Sequence, residues 1–76
     1  MKPSPQLVRV EGKVIEALPG LLFRVIVGKE GEGGHEVLGH LAGRLKLHRI
    51  RVIPGDRVIL EMANMNDARG RITRRL

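Results

Sequence analysis

The chain has 76 residues, enough for one small domain that buries only about 60% of its unfolded surface. It contains no cysteine, which excludes a disulfide framework and a thiolate zinc site. Apolar residues make up 42% and charged residues 29%, a balance typical of a folded domain, and no apolar run approaches the roughly 20 residues of a membrane-spanning helix. The opening Met-Lys-Pro-Ser-Pro lacks an apolar signal core, so we expect a cytoplasmic protein or one in the equivalent compartment of an organelle.

The net charge of +6 is carried entirely by the second half of the chain. Residues 1–38 contain five basic and five acidic side chains, which cancel. Residues 39–76 contain nine basic side chains, eight of them arginine, against three acidic ones. Such an imbalance favours a polyanionic partner, nucleic acid first and an anionic membrane surface second. Arginine suits phosphate groups and base edges because its guanidinium is a planar fork of donors.

The first half predicts two strands, because apolar and polar residues mostly alternate there. The first strand begins near Leu7 and is interrupted by Gly12, which we expect to mark a bulge or bend. A turn over residues 18–20 leads into a second strand over residues 21–27. Four of the seven residues in 28–34 are glycine, so this segment is predicted to be a mobile loop.

The second half predicts three further strands. They cover residues 35–41, 57–62 and 69–74, with a short helix or an irregular connector over 42–48, an extended segment over 49–53 and a turn at 54–56. Five short strands without a long helix favour a small closed barrel, since closure removes exposed strand edges. We therefore predict an all-β fold, a five-stranded oligonucleotide-binding (OB) barrel with the 42–48 connector between strands three and four, and an SH3-like barrel as the alternative. Residues 1–6 are expected to be flexible and residues 7–76 to form a single domain.

Nothing in the sequence resembles a catalytic or metal site. Ser4 and Thr73 are the only serine and threonine, and neither lies in a nucleophile motif. The spacing of His35, His40 and His48 matches no zinc motif. We therefore expect no enzymatic activity, no cofactor and no metal.

The strongest candidate for a binding site is a run of basic residues in the second half. Five of them fall between positions 44 and 51, and in extended backbone several would lie on one side, with leucines anchoring the segment to the barrel. These residues are Arg44, Lys46, His48, Arg49 and Arg51. Arg69 and Arg71 form a second set, two residues apart on one face of the last strand.

The scarcity of aromatic residues indicates what kind of RNA such a surface would bind. Phe23 is the only aromatic residue, and its place in the apolar pattern predicts that it lies in the core. No aromatic side chain is left to stack on unpaired bases. The composition therefore favours phosphate and groove contacts on folded RNA.

Four blocks of the chain recur together, in this order and spacing, in one known family. The blocks are Gly12-x-Val14-x-Glu16-x-Leu18-Pro19 with Phe23-Arg24-Val25, then His40-Leu41-Ala42-Gly43-Arg44-Leu45-Lys46, then Ile50-Arg51-Val52-Ile53-Pro54-Gly55-Asp56-Arg57-Val58, and last Arg69-Gly70-Arg71-Ile72. Over residues 8–74 the chain resembles bacterial-type translation initiation factor 1, which is also found in plastids. Arg49 and Met65 depart from the family at positions where tyrosine is common, and the 28–34 loop looks about three residues longer than usual.

The resemblance implies an OB barrel that binds the small ribosomal subunit at the aminoacyl-tRNA site. Its contacts there would be the decoding-centre helix of the small-subunit rRNA, a neighbouring RNA loop and a ribosomal protein. It would shield the site during initiation, assist the other two initiation factors, and be a monomer when off the ribosome. The positions that match the family's basic residues are Arg44, Lys46, Arg51, Arg69 and Arg71, with His40 and Arg24 matching as well. The residues leave two alternatives open, a general RNA chaperone and a protein-interaction barrel.

Overall fold

The computed structural model describes residues 7–28, 34–48, 50–64 and 67–76. Five strands and one short helix lie within these ranges. They are β1 (Val8–Leu18), β2 (Leu22–Val27), β3 (His35–Leu41), α1 (Gly43–Leu47), β4 (Arg57–Met62) and β5 (Arg69–Arg75). The predicted flexible segment 1–6 and most of the predicted loop 28–34 lie outside the described residues, as do Arg49 and Met65.

The strands close into a barrel in the order β1-β2-β3-β5-β4. Neighbouring strands are antiparallel except β3 and β5, which run parallel, with Leu38–Leu41 beside Arg69–Ile72. The helix α1 occupies the connection between β3 and β4. This arrangement confirms the predicted OB barrel rather than the SH3-like alternative.

The long strand β1 joins the two halves of the barrel. Residues Val8–Lys13 pair with β4 and residues Gly12–Leu18 pair with β2, so Gly12 has a partner on both sides. Gly12 faces inward, where a Cβ atom would collide with the side chain of Val25. The predicted bulge is displaced from Gly12, because the register shifts between Val14 and Glu16 instead. Glycine is needed at position 12 for the close approach of the barrel wall.

The turn between β1 and β2 covers residues 19–21, one residue later in the chain than predicted. Gly20 and Leu21 both have positive φ, +79° and +59°, and a strand ladder cannot continue through that conformation. The second strand therefore begins at Leu22 rather than at residue 21. Because leucine is sterically disfavoured in the left-handed region, the paired ends Leu18 and Leu22 must hold this turn in place.

The core is built from alternate residues of all five strands and from two residues outside them. Phe23 is buried, as predicted from the pattern. The complete set is Val14, Phe23, Val25, Val27, Val37, Leu41, Leu45, Val52, Val58, Leu60, Met62 and Ile72. Leu45 belongs to α1 and Val52 to the segment that follows it, so the connection between β3 and β4 is packed against the barrel.

Candidate nucleic-acid interface

The basic run that begins at Arg44 starts as a helix, one of the two conformations predicted for residues 42–48, so the arrangement expected for extended backbone does not apply to Arg44 and Lys46. Gly43–Leu47 form α1, and residues two apart on a helix lie about 200° apart around its axis. Arg44 and Lys46 are both exposed, but they project in different directions. Leu45 between them is buried, with 7% of its surface exposed, whereas Leu47 is 78% exposed. The expected leucine anchor is thus Leu45 alone.

Hydrogen bonds from the main chain tie α1 to its surroundings. The amide of Ala42 donates to the Ile72 carbonyl of β5 at 2.9 Å, and Ile72 directly follows Arg71 in that strand. At the other end, the amide of Ile50 donates to the Leu45 carbonyl at 3.0 Å. The helix is therefore fixed between β5 and the following segment, and its basic side chains are carried to the β5 side of the barrel.

Arg51 lies in a segment whose alternate residues face the barrel. Val52 is buried and Ile50 packs against the core, so Arg51 is directed to solvent. The guanidinium of Arg75 donates from Nη1 to the Arg51 carbonyl at 2.8 Å. This contact joins residues 24 positions apart and brings a C-terminal arginine into the candidate site.

Arg69 and Arg71 lie on the outer face of β5, as predicted, because Gly70 between them and Ile72 after them face the core. The parallel pairing with β3 places Arg69 beside Leu38 and Arg71 beside His40. Arg24 of β2 is also beside Leu38, on its other side, and pairs with Glu16 at 3.1 Å. The sheet thus brings Arg24, Arg69, Arg71 and His40 together on one outer surface.

The basic groups of the site are distributed along β5. Arg69 and Arg71 lie at its beginning, α1 is bonded to its middle, and Arg75 near its end contacts Arg51. Seven residues of strand span about 20 Å. β5 therefore organises a positive surface from three separate parts of the chain. This β5 surface consists of Arg44, Lys46, Arg51, Arg69, Arg71 and Arg75. His48 is exposed just beyond α1, and Arg49 lies outside the described residues.

One carboxylate interrupts this positive surface. Glu61 of β4 accepts a hydrogen bond from Arg71 at 2.6 Å and another from Arg9 of β1 at 3.3 Å. The Arg71 guanidinium, aided by Arg9, lowers the pKa of the Glu61 carboxyl below its usual value. Sequence reasoning missed both Arg9 and Glu61, because Arg9 lies in the neutral half of the chain and reaches Glu61 only through strand pairing.

The described residues contain neither a metal-binding cluster nor a membrane-spanning helix. In the ranges that the structure covers, no three histidine, cysteine, aspartate or glutamate side chains are grouped so that they could hold a metal ion. None of the described helical segments is long and apolar enough to cross a membrane.

A family model described as translation initiation factor 1A / IF-1 matches residues 2–76. The chain belongs to this IF-1 family. The match extends over the barrel, the helix α1 and all the described basic residues of the β5 surface. The resemblance read from the four sequence blocks is thereby confirmed.

Two solved structures resemble this IF-1 family chain. The solution structure of translation initiation factor 1 from the Wolbachia endosymbiont strain TRS of Brugia malayi is 40% identical, covers 92% of this chain and 78% of its own, and superimposes with a TM-score of 0.69. The crystal structure of YjeQ from Thermotoga maritima is 24% identical over 91% of this chain and 23% of its own, with a TM-score of 0.66. The second likeness shows the fold alone. The first supports a role in translation initiation.

Proposed function

We propose that this protein binds the small ribosomal subunit at the aminoacyl-tRNA site, through the small-subunit rRNA. In this position it shields the site during initiation and assists the other two initiation factors. The observation that carries the proposal is the β5 surface of a chain that belongs to the IF-1 family. Exposed basic residues from α1, from the 50–53 segment and from β5 itself converge there on a rigid barrel.

The proposed mechanism is occupancy, without catalysis, cofactor or metal. Guanidinium groups on the surface neutralise rRNA phosphates, and the counterions released from the RNA drive binding. Arginine can donate two parallel hydrogen bonds to one phosphate, which fixes orientation as well as charge. The closed barrel holds these donors at fixed spacings, so a folded RNA surface of matching shape is preferred over a flexible strand. We propose that the protein acts where its ribosomes are, in the cytoplasm or a plastid.

Co-sedimentation of labelled protein with purified small subunits across a salt series tests the proposal. We expect saturable binding near one protein per subunit, lost when subunits join into ribosomes. The logarithm of the affinity should fall linearly with the logarithm of salt concentration, by roughly one for each phosphate neutralised. Absence of saturable binding at low salt would overturn the proposed function.

Two arginine variants and one control locate the contact in the same experiment. Arg51→Ala and Arg71→Ala should each weaken subunit binding by about 1–3 kcal/mol and reduce the salt slope by about one. Lys13→Ala removes the same charge from an exposed position on β1 outside the proposed interface, and should have a much smaller effect. Unchanged affinity in both arginine variants would contradict the assignment of the site.

The same measurements separate this function from its alternatives. Equally tight binding of short unstructured RNA would favour a general RNA chaperone over a subunit-specific factor. Binding that does not respond to salt would favour a protein-interaction barrel whose charge serves solubility.

A further inference from the structure

Glu61 lies between two arginines at one level of the barrel wall. In the register of the sheet it is directly beside Arg9 of β1 on one side and Arg71 of β5 on the other. Each arginine uses a different oxygen of the carboxylate. Nη2 of Arg71 donates to Oε1 at 2.6 Å and Nε of Arg9 donates to Oε2 at 3.3 Å. One carboxylate therefore bridges three neighbouring strands.

The exposure of the three side chains is unequal. Only 11% of the Glu61 side chain is exposed, whereas Arg71 is 50% and Arg9 75% exposed. The two guanidinium groups cover the carboxylate and remain accessible themselves. A polyanion approaching this face would meet the arginines before the glutamate, and the cluster as a whole carries one net positive charge.

A second glutamate on the same outer surface provides a contrast. Glu11 of β1 accepts a single hydrogen bond, from Arg57 of β4 at 3.1 Å, and half of its side chain is exposed. That arrangement is an ordinary exposed ion pair. Glu61 differs because it serves two arginines and is itself covered.

We propose that Glu61 is a positioning residue for RNA binding, which holds Arg9 and Arg71 as a preformed pair of phosphate donors. The inference rests on the proposed function and extends the interface to Arg9, a residue outside the basic half of the chain. Glu61 acts through the two arginines and need not touch the RNA.

Two opposing effects decide the sign of Glu61's contribution. Ordering a long flexible side chain on binding lowers affinity by about two- to tenfold, and Glu61 imposes that order on two arginines beforehand. Repulsion between its carboxylate and a phosphate about 7 Å away in water amounts to a factor of about three, and salt reduces it further. Positioning therefore outweighs repulsion, so removal of this negative charge should weaken binding to a polyanion.

The test compares Glu61→Gln with Glu11→Gln in small-subunit binding at one salt concentration. Both variants raise the net charge by one and both disrupt cross-strand ion pairing, at two contacts for Glu61 and at one for Glu11. We expect Glu61→Gln to weaken binding roughly three- to tenfold, because glutamine has one acceptor oxygen for two arginines. Glu11→Gln should leave binding unchanged or tighten it by up to about twofold. Equal or tighter binding by Glu61→Gln would overturn the proposal.

A mutant cycle with the two arginines tests whether Glu61→Gln weakens binding only by disturbing the structure. In a chain that already carries Arg9→Ala and Arg71→Ala, Glu61→Gln should no longer weaken binding, since nothing remains for it to position. If Glu61→Gln still lowers subunit affinity by the full amount in the chain that lacks both arginines, Glu61 acts in another way. Thermal unfolding of each variant verifies that the barrel is intact under the binding conditions.

An NMR measurement on the free protein separates this inference from the proposed function. The Nε–H groups of Arg9 and Arg71 should be ordered on the ps–ns timescale in the natural chain and more mobile in Glu61→Gln. Equal mobility in both chains would overturn the positioning role, even if subunits bind normally. If the natural chain fails to bind subunits, the proposed function and the RNA role of Glu61 fall together, while ordered arginines would still establish the bridge.

Discussion

Individual arginines on the outer surface are held to different degrees. Arg24 and Glu16 form a pair in which both side chains are half exposed, so the pair contributes no more than about 1 kcal/mol to stability. Arg71 is bonded to a covered carboxylate at 2.6 Å. If the surface binds RNA as proposed, a phosphate would separate Arg24 from its partner easily, whereas Arg71 would keep its position and offer its remaining donors. The surface therefore combines one adaptable and one fixed arginine.

The lowered pKa of Glu61 predicts how stability changes in acid. Because the pKa in the folded state lies below the usual value of 4.5, ionised Glu61 stabilises the fold at neutral pH. That contribution is complete above 4.5 and is lost as the pH falls through the folded-state pKa. The free energies of unfolding in urea of the natural chain and of Glu61→Gln should differ by a constant amount above pH 4.5. They should converge as the pH falls below 4.5. A difference that stays constant into strong acid would contradict the prediction.

Among the elements, α1 depends most on its surroundings. A helix of five residues is too short to be stable alone, and Ala42 at its N-cap provides no side-chain acceptor. It persists because Leu45 is packed in the core and because its flanking amides donate to Ile72 of β5 and to its own carbonyls. The position of Arg44 and Lys46 is thus a consequence of tertiary packing.

Two leucines of α1 allow that dependence to be measured. Leu45→Ala removes a buried side chain and should lower the free energy of unfolding by about 2–4 kcal/mol, with a loss of subunit affinity as α1 detaches. Leu47→Ala makes the same change at a position that is 78% exposed, and should alter stability by less than about 0.5 kcal/mol. Urea unfolding and subunit binding check both variants. Similar effects of the two changes would show that α1 is not anchored through Leu45.

The molecule as a whole is a small barrel in which each strand has two neighbours. Closure leaves little room inside, and three of the glycines that the structure describes face the interior where side chains would not fit. These are Gly12, Gly39 and Gly70, each with core side chains within about 3 Å of an added Cβ. Gly12 is the most constrained, because it lies where β1 pairs with both β2 and β4.

Because the barrel is closed, adding one methyl group at position 12 should lower the free energy of unfolding. Gly12→Ala forces Val25 and the surrounding wall to move and should destabilise the protein by about 1–3 kcal/mol in urea unfolding. Gly43→Ala is the matched control, because no atom lies within 4 Å of its added Cβ and alanine favours a helix. It should be neutral or stabilising by up to about 1 kcal/mol. A neutral Gly12→Ala would contradict the close approach of β1 and β2.

The sequence by itself determined the number and order of the strands, the burial of Phe23 and the positive character of the second half. These follow from local periodicity and composition, which are visible without knowing what lies beside each strand. The same pattern favoured the OB barrel over the SH3-like alternative, and the family blocks, whose order and spacing are specific, agreed with it.

Only the tertiary structure decided how the basic residues are arranged. The run from Arg44 alternated as a strand does, but packing of Leu45 made its first part a helix. The contact of Arg75 with Arg51 and the bridge from Arg9 through Glu61 to Arg71 join residues far apart in the chain. The physical reason is common to all three: each depends on which strands become neighbours when the barrel closes, and closure is a property of all five strands together.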